Sequence, residues 1–101
     1  MDVLYTAGAT ARGGREGYSA CFHSALKRVA GSQKLDVTGS SITAQVSLVA
    51  DGSAFGIAVT LVGAFPALDA SAGAELMEQA HQVCPYSRAT RGNIEITLTV
   101  A

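Results

Sequence analysis

The stretch Ile42-Thr43-Ala44-Gln45-Val46-Ser47-Leu48-Val49-Ala50-Asp51-Gly52-Ser53-Ala54-Phe55-Gly56-Ile57-Ala58-Val59-Thr60-Leu61 decides the fold class. Ile42, Ala44, Val46 and Leu48 alternate with Thr43, Gln45, Ser47 and Val49. Beyond Asp51-Gly52 a second run places Phe55, Ile57, Val59 and Leu61 on one face. Two period-2 runs joined by a glycine-containing turn predict a β-hairpin, with Asp-Gly supplying the positive φ of the reversal and Ser53 lengthening the loop slightly. Outward from this hairpin the period changes. Between about Ser19 and Ala30, Cys21, Ala25 and Val29 recur every four residues with Phe22 and Leu26 beside them, while Lys27 and Arg28 point elsewhere. This predicts an amphipathic helix, closed by Gly31. On the other side, Asp69 or Ser71 can cap a second helix whose stripe is Leu76, Ala80 and Val83 or Cys84, and Pro85 terminates it. Val3 to Ala11 and Ile94 to Val100 read as strands at the two ends. Helices and strands mixed without βαβ alternation predict an α+β domain.

At 101 residues the chain holds one core, so residues 1–101 are read as a single domain. Charged residues are 15% against roughly 25% in an average soluble domain, and hydrophobic residues reach 49%. A small domain with that balance cannot cover its own apolar surface, which predicts a homodimer. The net charge is -1 and the basic residues are scattered, so nucleic acid is not an expected partner. The start Met1-Asp2-Val3-Leu4 lacks the basic and apolar regions of a secretory signal, and the apolar region 54–68 is shorter than the roughly 20 residues of a membrane helix. A cytoplasmic protein without a membrane partner is expected. In that compartment two cysteines are more often redox-active or metal-binding than a permanent staple.

Cys21 and Cys84 are therefore the candidates for chemistry. Core packing is the plain alternative for either, since free cysteines are commonly buried. A reactive Cys21 needs a cation to stabilise its thiolate, and Arg15, six residues upstream on a glycine-rich loop, can supply a guanidinium. If the two helices pack, Cys84 can meet Cys21 as a resolving thiol. Zinc held by Cys21, His23, His81 and Cys84 is disfavoured, because residues two apart on a helix point about 200° apart. His23 is then expected at a surface or interface and His81 partly exposed. Gly13-Gly14-Arg15-Glu16-Gly17 lacks the spacing of a nucleotide-binding loop.

Three blocks resemble the organic hydroperoxide resistance proteins, the Ohr branch of the OsmC superfamily. They are Leu4-Tyr5-Thr6-Ala7 leading to Gly13-Gly14-Arg15-Glu16-Gly17; then Gly17-Tyr18-Ser19-Ala20-Cys21-Phe22; and residues 81–94, from His81-Gln82-Val83-Cys84-Pro85-Tyr86-Ser87 to Asn93-Ile94. The resemblance implies antiparallel sheets packed around central helices in an intertwined homodimer. It also implies that Cys21 is the peroxidatic cysteine, Cys84 its resolving partner through a disulfide, and Arg15 the arginine that steadies thiolate and peroxide. The implied activity is reduction of alkyl and fatty-acid hydroperoxides without a bound cofactor or metal, with a dithiol such as protein-bound dihydrolipoamide as electron donor. Family members carry a few dozen residues, including a glutamate that pairs with the arginine, where Gly17 here runs straight into Tyr18. Glu16 lies too close to Arg15 to be assumed its substitute. A segment absent at this point predicts that Gly17 and Tyr18 stand further apart than the roughly 3.8 Å of bonded neighbours. The alternatives are a shortened, non-enzymatic member with structural cysteines, and a carrier of apolar ligands.

Overall fold

The computed structural model describes residues 3–11 and 17–101, with side chains described from Gly17 onward except that of Asp51. The elements are β1 (Val3–Ala11), α1 (Gly17–Ser32), β2 (Ser41–Asp51), β3 (Ala54–Ala64), α2 (Ala70–Val83), α3 (Pro85–Thr90) and β4 (Glu95–Val100). They form one four-stranded sheet in the order β1-β2-β3-β4 with helices packed against it, the expected α+β class. β1–β2 and β2–β3 are antiparallel, whereas β4 lies parallel to β3, with Val59 opposite Ile96 and Leu61 opposite Leu98. The sheet is thus mixed rather than wholly antiparallel. The long connection from β3 to β4 carries α2 and α3, and such a crossover is what a parallel pair requires.

The hairpin pairs Ser41 with Ala64 through to Asp51 with Ala54, so its two-residue loop is Gly52-Ser53 and not Asp-Gly. Gly52 has φ +63° and Ser53 is not in the positive-φ region, the pattern of a type II′ turn. Near the helices the inward residues Ile42, Ala44, Val59 and Leu61 are buried. The same face continues toward the turn through Ile57 and Phe55, which are 41% and 68% exposed. The domain measures 47 × 25 × 21 Å. Its hairpin carries an apolar face past the helices that cover the rest.

Gly17 and Tyr18 are successive residues of α1, so the separation expected between them is not found. Gly17 has φ +57°, a conformation glycine adopts without Cβ strain, and through it the chain enters α1 directly. Gly31 does not close this helix. The chain passes it and stops at a Schellman motif, in which Lys34 takes φ +56°, Leu35 N–H donates to Ala30 O at 2.9 Å and Lys34 N–H to Gly31 O at 3.3 Å. Leu35 and Ala30 both pack into the core, the apolar contact that accompanies this stop.

The stripe of α1 that meets the sheet is Phe22, Leu26 and Ala30, all fully buried, one position round from the Cys21-Ala25-Val29 stripe. Burying Phe22 and Leu26 contributes roughly 1.5–3 kcal/mol each. α2 supplies Leu76, Met77 and Ala80 to the same core. Asp69 caps α2, its carboxylate accepting the Ala72 N–H at 2.7 Å. His23 is not at the surface: it is buried, and its Nε2 lies 2.9 Å from Ser40 Oγ, tying α1 to the turn before β2. Among the described residues no helix is long and apolar enough to cross a membrane.

Candidate functional site

Pro85 does two things at the end of α2. It has no N–H to continue the helix, and it holds the residue before it out of the α region, so Cys84 takes φ −64°, ψ 127°. Its fixed φ also suits the first turn of a new helix, and α3 begins there. This short helix was not foreseen in the sequence, where Pro85 reads as a stop. Between the two helices Cys84 donates its N–H to Ala80 O and accepts that of Arg88, both at 2.9 Å. Arg91 Nη2 reaches back to His81 O at 2.6 Å and fixes α3 against the last turn of α2. Of the two candidates for the last position of the α2 stripe, Cys84 is the one buried, and Val83 is exposed.

This geometry turns Cys84 toward α1. Its Sγ lies 3.7 Å from Cys21 Sγ, across 63 residues of chain, and both cysteines are free thiols. A disulfide has an S–S length of about 2.05 Å, so side-chain rotation of less than 2 Å joins them. Cys21 is partly exposed while Cys84 is wholly buried. Burial pushes the Cys84 thiol above its usual range, and the nearby Cys21 pushes the same way; the Ser87 N–H and hydroxyl oppose them by stabilising the thiolate. Cys84 is thus a protonated thiol at neutral pH.

Three aromatic rings form a cluster around Tyr18. Tyr18, one turn before Cys21, stacks obliquely on Phe22 and on Tyr86, with centroids 6.4 and 5.5 Å away. Its hydroxyl is 2.6 Å from Ser87 Oγ, which is fully buried. Tyr18 and Ser87 were not singled out in the sequence reading; Ser87 lies three residues beyond Cys84, the position that faces back over the first turn of a helix.

Cys21 opens onto a cleft of about 880 Å³ between α1 and the α2–α3 junction. Ala20, Ala25, Val29, Val83 and Tyr86 give it a mainly apolar lining. Arg28 lines it too, contrary to the expectation that it points away from the cysteine stripe. Seven residues bring a helix round to within about 20° of its start, and that spacing was the available signal. Arg15 lies outside the described residues, as does Glu16. Among the described residues no three of His, Cys, Asp and Glu gather as a metal site. His23 and Cys21 diverge, the first to Ser40 and the second to the cleft.

The OsmC-like protein family model matches residues 16–99. An organic hydroperoxide resistance protein of Xanthomonas axonopodis pv. citri is 40% identical, with 98% of this chain and 96% of the relative spanned. That alignment has 136 positions but takes in only about 99 residues of this chain, 98% of 101, so about 37 positions of the relative have no counterpart here. OhrB of Bacillus subtilis is 48% identical over 81% of this chain and 61% of its own length. The crystal structure of Bacillus subtilis OhrB superposes with a TM-score of 0.78 at 45% identity, covering 83% of this chain and 63% of that one. By sequence and by fold, then, the chain belongs to the OsmC-like family and, within it, to the organic hydroperoxide resistance proteins.

Proposed function

We propose that the protein is a thiol peroxidase that reduces organic hydroperoxides to alcohols. The observation that carries this reading is the 3.7 Å approach of Cys21 and Cys84 at the floor of an apolar cleft. The names of its relatives, which confer organic hydroperoxide resistance, point to the same substrate class. In the first step the Cys21 thiolate attacks one peroxide oxygen; the O–O bond breaks, and the departing alkoxide takes up a proton to leave as the alcohol. Cys21 is now a sulfenic acid, oxidised by two electrons. Cys84 then attacks the Cys21 sulfur, an S–S bond forms, and the hydroxyl leaves with the thiol proton as water. An external dithiol, of which dihydrolipoamide on a carrier protein is the expected example, reduces the disulfide and becomes a disulfide itself.

The partly exposed Cys21 suits the attacking role, because it meets the cleft directly, and the buried, protonated Cys84 suits the resolving role. Arg15 is assigned as the cation that stabilises the Cys21 thiolate. The protein works as a homodimer in this account, a second copy covering the apolar extension at Phe55 and Ile57. No resident cofactor or metal is needed, and the reaction takes place in the cytoplasm. In the competing reading, a shortened member with structural cysteines, nothing is consumed. The test is steady-state loss of cumene hydroperoxide with dihydrolipoamide supplied. Turnover by the 101-residue chain that disappears in Cys21→Ser supports the proposal, and equal background rates in both overturn it.

A further inference from the structure

Cys84 has to act as a nucleophile from a position that disfavours its thiolate. It is wholly buried. The titratable and charged groups on the helices around it are Cys21 and Tyr18 on α1, His81 on α2, and Tyr86 and Arg88 on α3. Among the described residues only Cys21 acts on it by charge, and it opposes the thiolate; the one side chain that favours the thiolate is Ser87. Cys84 is the N-cap residue of α3 and Ser87 stands third after it, a spacing that brings the Ser87 hydroxyl back over the capping position. Ser87 is itself fully buried, and its Oγ lies 2.6 Å from the hydroxyl of the half-buried Tyr18, which belongs to α1. A serine hydroxyl has one proton to give and two lone pairs. With that proton on the Cys84 sulfur, a lone pair is left to accept from the Tyr18 phenol, and the two bonds polarise one another. The Cys84 thiol donates in turn to Cys21 Sγ, 3.7 Å away, so its own proton already faces the atom from which a hydroxyl would depart.

We propose that Ser87 is a catalytic residue of the disulfide-forming step, its hydroxyl holding the Cys84 sulfur as negative charge gathers there, and that Tyr18 is a positioning residue that keeps the Ser87 proton aimed at that sulfur. The step stays balanced. The Cys84–Cys21 S–S bond forms, the Cys21 S–O bond breaks, and the thiol proton leaves with the hydroxyl as water, while Ser87 and Tyr18 keep their own protons. The proposal rests on the resolving role that the peroxidase reading gives Cys84, but its test consumes no peroxide.

The aryl disulfide dithiobis(nitrobenzoate) takes the place of the oxidant. Cys21 attacks it, keeps one thionitrobenzoate and releases the other; Cys84 then attacks the Cys21 sulfur and expels the second, so the two steps appear as successive absorbance phases. The second phase should be independent of reagent concentration and absent in Cys84→Ser. Ser87→Ala should slow it about 10-fold and Tyr18→Phe about 3-fold, the sizes expected of a hydrogen bond to a charged sulfur and of its polarisation by a further donor. Each substitution should also move the pH midpoint of the second phase upward, Ser87→Ala further than Tyr18→Phe. Because Tyr18 acts through Ser87, the double variant should be no slower than Ser87→Ala alone. Closure as fast as in the parent chain, slowing that multiplies in the double variant, or a slower phase whose pH midpoint has not moved would each overturn the proposal. Circular dichroism at the assay temperature checks that the variants are folded, and should Ser87→Ala not fold, the rate and midpoint of Tyr18→Phe decide alone. Hydroxyl-dependent closure in a chain that consumes no hydroperoxide would refute the peroxidase reading and leave this proposal standing. Hydroperoxide turnover with closure indifferent to both hydroxyls would do the reverse.

Discussion

Oxidising Cys21 and Cys84 to a disulfide should stabilise the fold by an amount set by the length of chain it closes. The two positions are 63 residues apart, and in the chain-entropy treatment a loop of that length removes about 4 kcal/mol of denatured-state freedom. The sulfurs must move from 3.7 Å to about 2.05 Å, and whatever strain this introduces is subtracted. A net gain of about 2–4 kcal/mol is therefore expected. In a domain of this size each kcal/mol shifts the thermal midpoint by about 4–8 °C, so the oxidised form should melt at least about 8 °C higher. The assay compares circular dichroism melts after diamide treatment and in excess dithiothreitol. Cys21→Ser is carried through both treatments and should show no shift. Non-reducing electrophoresis should show a monomeric band for the oxidised chain. An oxidised form no more stable than the reduced one, or a cross-link between chains, would refute the claim that folding delivers these two sulfurs to near-bonding geometry.

Other expectations follow from the packing around the pair. Tyr18→Phe removes the partner 2.6 Å from the buried Ser87 hydroxyl and should cost about 1–3 kcal/mol in urea unfolding. Ser87→Ala removes a group that favours the Cys84 thiolate, so the pH at which Cys84 becomes alkylated should move further up than in the parent chain. Gly63→Ala should cost about 1–3 kcal/mol, because a Cβ there would lie 2.6 Å from Met77 Sδ and 2.7 Å from Phe65 Cε2. His81 is held below its ordinary 6.5, first by burial and then by the Arg91 charge, with Glu78 opposing. The folded state thus favours neutral His81, a contribution present above pH 6.5 and lost as the pH falls below it. His81→Gln should flatten this acid limb of a urea-midpoint profile.

The elements legible in the sequence are those whose signal is local. The hairpin announced itself by alternation, α2 by the carboxylate of Asp69 and the stripe of Leu76 and Ala80, and β1 and β4 by their period. What escaped was set by choices between neighbouring options. Cys21-Ala25-Val29 and Phe22-Leu26-Ala30 are both apolar and about 100° apart on α1, and only the sheet decides which is covered. Gly31 has the residue type of a helix stop, yet Lys34 takes the left-handed conformation because Leu35 gains a place in the core. α3 has six residues, too few for a period, and Pro85 serves equally as an end and a beginning. The parallel pairing of β4 depends on the path of two helices, which no strand pattern encodes. The two cysteines could be named from composition and compartment. Their meeting was legible only as a possibility, open if the two helices pack; the resemblance made it an expectation, and in physical terms it requires the extended backbone that Pro85 imposes on Cys84. Arg28 is exposed, as its charge suggests, yet it borders the cleft on the side of Cys21, which the seven-residue spacing would have shown.

The central claim is that Cys21 takes an oxygen from a hydroperoxide and passes the oxidation to Cys84. Intact-mass and peptide analysis of the fully reduced chain, quenched after one equivalent of cumene hydroperoxide, tests it most directly. The account predicts loss of two hydrogens with a Cys21–Cys84 disulfide peptide, and in Cys84→Ser the gain of a single oxygen at Cys21. An unchanged mass, or oxygen found on a methionine while both cysteines stay reduced, would contradict it.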